Sequence, residues 1–277
     1  MKRILFPTDF SETATNAFVH ALEFAKMIKG ELILLHTFEL PILDTQFFPQ
    51  NYMEIYESLE LSQFEMFKEE LPKLHSIALA HNLDHIKMTH RLMDGELVYN
   101  IEKAIKEDKI DYVVMGTEGA SGWSAFFMGT NAGSVLVDVA VPTYCIPHGA
   151  EYKKIQTIGF TTRFREKDKK ALKNVLKLAK KANAQVHCLY VKTSDSDVSK
   201  ETVKEWENEF EGEGVVFWVM LSDDVKESIV DFIVQRDIDV LTMLTYKRSF
   251  FEGLFHPSFT KKMAQNLSIP VLVMPIE

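Results

Sequence analysis

The chain has 277 residues, 46% of them hydrophobic and 26% charged, and its Lys+Arg 31 against Asp+Glu 40 leave a formal net charge of −9. That length fits one large or two modest domains, and the composition is that of a globular protein, not a disordered, collagenous or disulfide-stapled one. No apolar run reaches the ~18 residues a membrane span requires, and neither half of the chain is basic enough to argue for nucleic acid.

The opening MKRILFPTDFSE meets Asp9 too early to hold a secretory apolar region. Ile4, Leu5 and Phe6 form a short apolar run ended by Pro7, the pattern of a strand covered on both faces. Ser11 is placed to cap the next helix, with Glu12 in its first turn, and Gly30 is the expected stop. A second strand follows at 31–37. Residues 50–82 carry helical spacing through Phe64, Phe67, Leu71 and Leu74. A third strand is expected at 85–92, a helix after Gly95, and two more strands at 112–115 and 142–146. The cysteines, Cys145 and Cys188, sit in the apolar runs PTYCIP and VHCLYV, where a buried inert thiol is the default. A reducing, cytoplasmic setting is expected.

The chain then repeats itself. Phe6, Phe10 and Leu34 align with Phe160, Phe164 and Cys188 at one constant offset. IDYVVMGTEGASGWSAFFMGTNAGSVLVDVAVPTYCIP aligns without gaps to IDVLTMLTYKRSFFEGLFHPSFTKKMAQNLSIPVLVMP. The second copy has a shorter middle helix, near 199–210. We read a duplicated domain, 1–150 and 151–277. Strands alternating with helices make each copy α/β, with a parallel sheet and right-handed crossovers.

In open parallel sheets, ligands sit beyond the carboxyl ends of the strands, where strand order reverses. The loops to inspect are Pro7-Thr8-Asp9-Phe10-Ser11 and the segment from Gly116-Thr117-Glu118-Gly119 to Gly129-Thr130-Asn131. The spacing Gly-x2-Gly-x9-Gly-Thr reads as a phosphate cradle. Gly116 allows a close approach to the backbone, Gly119 permits the turn, and Gly129, Thr130 and Asn131 aim free amides at an anion from a helix N-terminus. Asp9 is placed to accept from ribose hydroxyls or to hold a divalent metal.

These residues resemble the universal stress protein family. The features that carry the likeness are ILFPTDFS, ILLHT, MGTEGASGWSAFFMGTNAGSV and VPTYCIP. The resemblance covers 1–147, and the whole chain looks like a tandem member. It implies two Rossmann-like domains, each a five-stranded parallel sheet of order 3-2-1-4-5 with helices on both faces. It implies ATP or another adenine nucleotide, with Mg at Asp9 as an accompanying metal. Asp9 and Gly116 would lie near the ribose, and the Thr37 backbone would meet the adenine edge. Gly119, Gly129, Thr130 and Asn131 would hold the phosphates, and Pro7, Thr8 and Met115 would line the pocket. Family members commonly dimerise, and tandem members pair their halves within one chain, so an intrachain pseudo-dimer and a homodimer are both expected partners.

Two departures stand out. No Lys or Arg occurs at 111–151, so a triphosphate has no cationic partner there. In the second copy Asp9 becomes Arg163, Gly116 and Gly119 become Leu244 and Lys247, and Gly129-Thr130 become Pro257-Ser258. Proline lacks the N–H a cradle requires, so the second copy is expected to serve as a structural partner. Arg163, Arg165, Lys247, Arg248, His256, Lys261 and Lys262 gather on its equivalent edge. Three functional classes remain open from the residues: a nucleotide-binding regulator, a slow ATPase using Asp9, and an interaction protein that binds no nucleotide. No catalytic residue is assigned.

Overall fold

The computed structural model describes residues 1–39, 52–117, 139–245 and 269–276. The chain forms two compact units, Met1–Gly116 and Thr117–Glu277.

The first unit contains β1 (Lys2–Pro7), α1 (Glu12–Ile28), β2 (Gly30–Phe38), α2 (Tyr52–Ala80), β3 (Met88–Asp94), α3 (Leu97–Asp108) and β4 (Tyr112–Thr117, ending one residue past the boundary). Its strands run in the order β3-β2-β1-β4, all parallel. Ile4, Leu5 and Phe6 are fully buried, as their unbroken apolar run requires. Helix α1 starts where Ser11 Oγ accepts from Ala14 N at 3.2 Å. It buries Ala14, Ala17, Phe18, Ala21, Leu22 and Ala25, a helical stripe, against β1 and β2. Its end differs from the expectation. Lys29, not Gly30, takes the left-handed cap (φ 56°). Gly30 opens β2, where a Cβ would meet the Lys2 carbonyl oxygen at 2.9 Å. The glycine therefore serves sheet packing and not the helix stop. In α2, Phe67 and Leu74 are buried but Phe64 is half exposed.

The second unit contains β5 (Thr143–Pro147), β6 (Thr157–Thr161), α4 (Glu166–Ala182), β7 (Gln185–Lys192), α5 (Lys200–Glu209), β8 (Val215–Leu221), α6 (Val225–Gln235), β9 (Val240–Thr245) and β10 (Val271–Pro275). Its strand order is β5-β10-β9-β6-β7-β8. Strands β8-β7-β6-β9-β10 are mutually parallel and give the expected 3-2-1-4-5 order in full. The last strand of the first repeat, β5, pairs with β10 antiparallel, Cys145 opposite Val271.

The duplication reaches individual hydrogen bonds. Asp111 accepts from Arg3 N and Asp239 from Thr157 N, both at 2.9 Å, each tying the start of one strand to another. Thr117 Oγ1 donates to Ile146 O and Thr245 Oγ1 to Met274 O, both at 3.2 Å. Cys145 and Cys188 are buried free thiols, and burial pushes both pKa values up, which keeps them inert.

Candidate functional site

Backbone register assembles the described part of the candidate site. Ile4 and Leu5 pair with Tyr112 and Val113 on one side, and Pro7 pairs with Leu35 on the other. Continuing those registers brings Pro7 level with Met115, Thr8 with Gly116, and Asp9 with Thr37. Six of the expected residues thus converge at the carboxyl ends of β1, β2 and β4. Gly119, Gly129, Thr130 and Asn131 lie outside the described residues. So do Lys247, Arg248, His256, Pro257, Ser258, Lys261 and Lys262 of the second repeat.

The loop after β1 is tightly built. Thr8 is buried, and its N–H extends the ladder by donating to Leu35 O at 2.8 Å. Its hydroxyl oxygen accepts from Phe10 N at 3.0 Å. Asp9 is exposed, with Oδ1 accepting from Ser11 N at 3.0 Å. Phe10 sits at φ 61°, a left-handed conformation costly for a bulky side chain. Its ring packs on His36 and Phe67, with centroids 5.0 and 5.9 Å away.

Gly116 has a role the sequence reading did not foresee. A Cβ there would lie 2.9 Å from the carbonyl oxygen of Thr13. The close approach that demands glycine is that of the first turn of α1. This draws the end of β4 against the loop that carries Asp9. Met115, beside it, is buried.

His36 was also missed. It is buried, with Nδ1 2.7 Å from the Thr8 carbonyl oxygen. A carbonyl only accepts, so Nδ1 carries the proton and donates. The imidazole thereby holds the peptide immediately before Asp9. Its sequence signal was weak: one histidine ending an apolar run.

The second repeat keeps the loop shape with different chemistry. Phe164 stands at φ 55°, and Thr162 Oγ1 accepts from Phe164 N at 2.9 Å, as in the first repeat. Where the first repeat has Ala14, the second has Asp168, fully buried. Its Oδ2 accepts from Thr162 Oγ1 and Arg163 N at 2.8 Å and from Arg165 N at 3.2 Å, while Oδ1 has no partner. Burial raises the Asp168 pKa, opposed by those donors. An internal carboxylate thus replaces the local turn made by Asp9 and Ser11, leaving position 163 free to be arginine.

Among the described residues, no group of three or more His, Cys, Asp and Glu side chains is arranged to hold a metal. No described helix is long and apolar enough to cross a membrane.

A family model described as the universal stress protein family matches residues 1–147 and again 154–275. The chain belongs to the universal stress protein family. A universal stress protein of Methanocaldococcus jannaschii is 26% identical over 149 residues, 52% of this chain and 81% of its relative. Among solved structures, a universal stress protein from Archaeoglobus fulgidus shares 21% identity at a TM-score of 0.73, covering 99% of this chain and 96% of the other. A putative universal stress protein from Pseudomonas aeruginosa gives 12% identity and a TM-score of 0.64 over 100% and 94% of the two chains. At those identities the structural likenesses speak for the fold. The tandem universal stress architecture therefore spans the whole chain.

Proposed function

We propose that residues 1–150 bind an adenine nucleotide, ATP or a close relative, and that the protein uses this binding in cytoplasmic stress regulation. Residues 151–277 act as the degenerate partner within the same chain. The observation that carries the reading is the convergence, in the first repeat only, of an exposed carboxylate (Asp9), a strand-end backbone (Thr37) and a glycine strand end (Gly116). The Gly-x2-Gly-x9-Gly-Thr spacing that begins at Gly116 supplies the expected phosphate amides.

The residues fit the nucleoside part of the ligand in kind. Asp9 accepts from ribose hydroxyls, the Thr37 backbone offers hydrogen bonds to the base edge, and Pro7 and Met115 form the apolar wall. Asp9 would hold magnesium where it accompanies the nucleotide. The bound metal would neutralise phosphate charge in a segment without Lys or Arg. The β5·β10 pair joins the last strands of the two repeats and supports the reading of the second as a built-in partner.

The test is mass spectrometry of small molecules released when the purified chain is denatured, before and after incubation with ATP. An adenine nucleotide at up to one per chain, reduced by Asp9→Ala, supports the proposal. A chain that carries none and retains none from millimolar ATP overturns it.

A further inference from the structure

We propose that β8 is a docking edge for a second copy of this chain, which joins it antiparallel about a two-fold axis through Trp218. The proposal rests on the second unit alone and is independent of nucleotide binding in the first repeat.

Strand β8 ends the sheet order and pairs with β7. Val186 N donates to Gly214 O at 3.0 Å, and Ser222 N to Lys192 O at 3.1 Å. In a parallel ladder of that register, Val216, Trp218 and Met220 turn their N–H and C=O groups towards β7. Val215, Phe217, Val219 and Leu221 turn theirs outward, and no described residue bonds to those groups. The strand, VVFWVML, holds no charge, no proline and no glycine. Val219 is 46% exposed and Leu221 80%. A bare apolar edge of this kind is a template for pairing with another chain. Strand β3, at the other end of the order, is guarded instead. It carries His90, Arg91 and Asp94, and Arg91 is ion-paired with Glu107 and Asp108.

The strand's match to itself identifies the partner as a second copy. With Trp218 opposite the partner's Trp218, all seven residues pair. Val215 meets the partner's Leu221, Val216 the partner's Met220, and Phe217 the partner's Val219. The residues with outward groups then fall at hydrogen-bonded positions, and Trp218 at a non-hydrogen-bonded one. The exposed Leu221 and Val219 land on the partner's Val215 and the partner's Phe217, which are half-buried. A slip of two residues keeps the faces but leaves residues unpaired at each end. No charges oppose each other within the seven pairs. Glu213 and Asp223 meet just beyond them, where Lys180 binds Glu213 and Ser194 binds Asp223. The second repeat's last strand, β10, is already held antiparallel by β5, so the same mode of sheet extension falls to β8.

Phe217 sits on Phe164, Phe210 and Trp206, with centroids 6.1, 6.3 and 6.5 Å away, so the strand is fixed before a partner arrives. One strand pair is a small interface, below the ~1,200 Å² of stable complexes. The axis also brings together two copies of Arg236, which stacks on Trp218 at 3.4 Å. The dimer is therefore weak and reversible, with a Kd of about 10–100 μM.

Sedimentation equilibrium of the full chain from about 5 to 500 μM spans that range. The expected result is a reversible monomer–dimer equilibrium that Val219→Lys weakens at least about tenfold. Val219→Thr, which keeps a β-branched side chain, and Thr89→Lys on β3 should leave it unchanged. Val219 is exposed, so these variants preserve the fold. Under mild oxidation Trp218→Cys should form an interchain disulfide, since Cα atoms of a non-hydrogen-bonded pair lie about 4.5 Å apart. Val219→Cys should not, because the two copies of that position lie diagonally, beyond the ~7 Å a disulfide spans. A chain monomeric throughout, a dimer indifferent to Val219→Lys, or crosslinking at Val219→Cys and not at Trp218→Cys would each overturn the proposal.

Discussion

Gly116 offers a sharp test of how the candidate site is assembled. In Gly116→Ala the new Cβ sits 2.9 Å from the Thr13 carbonyl oxygen and 3.2 Å from both its carbonyl carbon and Cγ2. Two of those three atoms are backbone and cannot rotate away. Overpacking of this kind costs about 1–3 kcal/mol. The variant also loses unfolded-state entropy, worth about 0.4–1 kcal/mol in the opposite direction. The net expectation is a loss of about 1–2 kcal/mol in the first unit. Hydrogen exchange read by mass spectrometry on peptides from β1 and β4 measures it locally, and amides that exchange by opening of that unit should speed up about tenfold. Adding Thr13→Ala removes only the Cγ2 contact, so it should not restore protection. Unchanged exchange in Gly116→Ala, or full rescue by Thr13→Ala, would refute the backbone contact as the reason for glycine.

Asp168→Ala strands the buried Thr162 Oγ1, at about 1–3 kcal/mol, and the part-buried Arg163 N and Arg165 N, which water partly satisfies, so it should destabilise the second unit by roughly 2–4 kcal/mol in urea. Asp168→Asn keeps an acceptor oxygen and should cost much less. Because burial raises the folded-state pKa of Asp168, its protonated form is favoured by folding. The stability from that uptake is fully present below the unfolded carboxyl range, about pH 4, and is lost as pH rises through the folded value. Relative to Asp168→Asn, the wild type should therefore gain stability as pH falls from about 7 to 4; a pH-independent difference would contradict this. His36→Phe removes the Nδ1–H donated to Thr8 O and should cost about 1–2 kcal/mol, with faster amide exchange at Phe10 and Ser11. Thermal unfolding with no change in either quantity would contradict the role given to the imidazole.

Much of the fold was legible because its signals are local. The apolar runs at Ile4–Phe6 and around Cys188 suit doubly covered strands, and Ser11 before an alternating Ala/Phe stripe marked α1. The duplication was readable because both copies keep the same spacing, down to Asp111 and Asp239 at equivalent turns. The missed features depend on what meets them in space. Gly30 follows a helix in sequence, but the neighbouring Lys2 carbonyl sets its identity. Gly116 was read through a ligand, whereas Thr13 is the group that approaches it. In the sequence nothing sets Asp168 apart from any other acidic residue in the first turn of a helix. Only the folded loop shows that its carboxylate takes over what Asp9 and Ser11 do in the other copy. The left-handed Phe10 and Phe164 carry no propensity signal, since bulky residues rarely take that conformation.

Isothermal calorimetry of the intact chain with ATP, with and without magnesium, tests nucleotide binding most directly. One site per chain, abolished by Gly129→Ala together with Thr130→Ala and untouched by Arg163→Glu, is the predicted result. Two equivalent sites, or no heat with any adenine nucleotide, would contradict it.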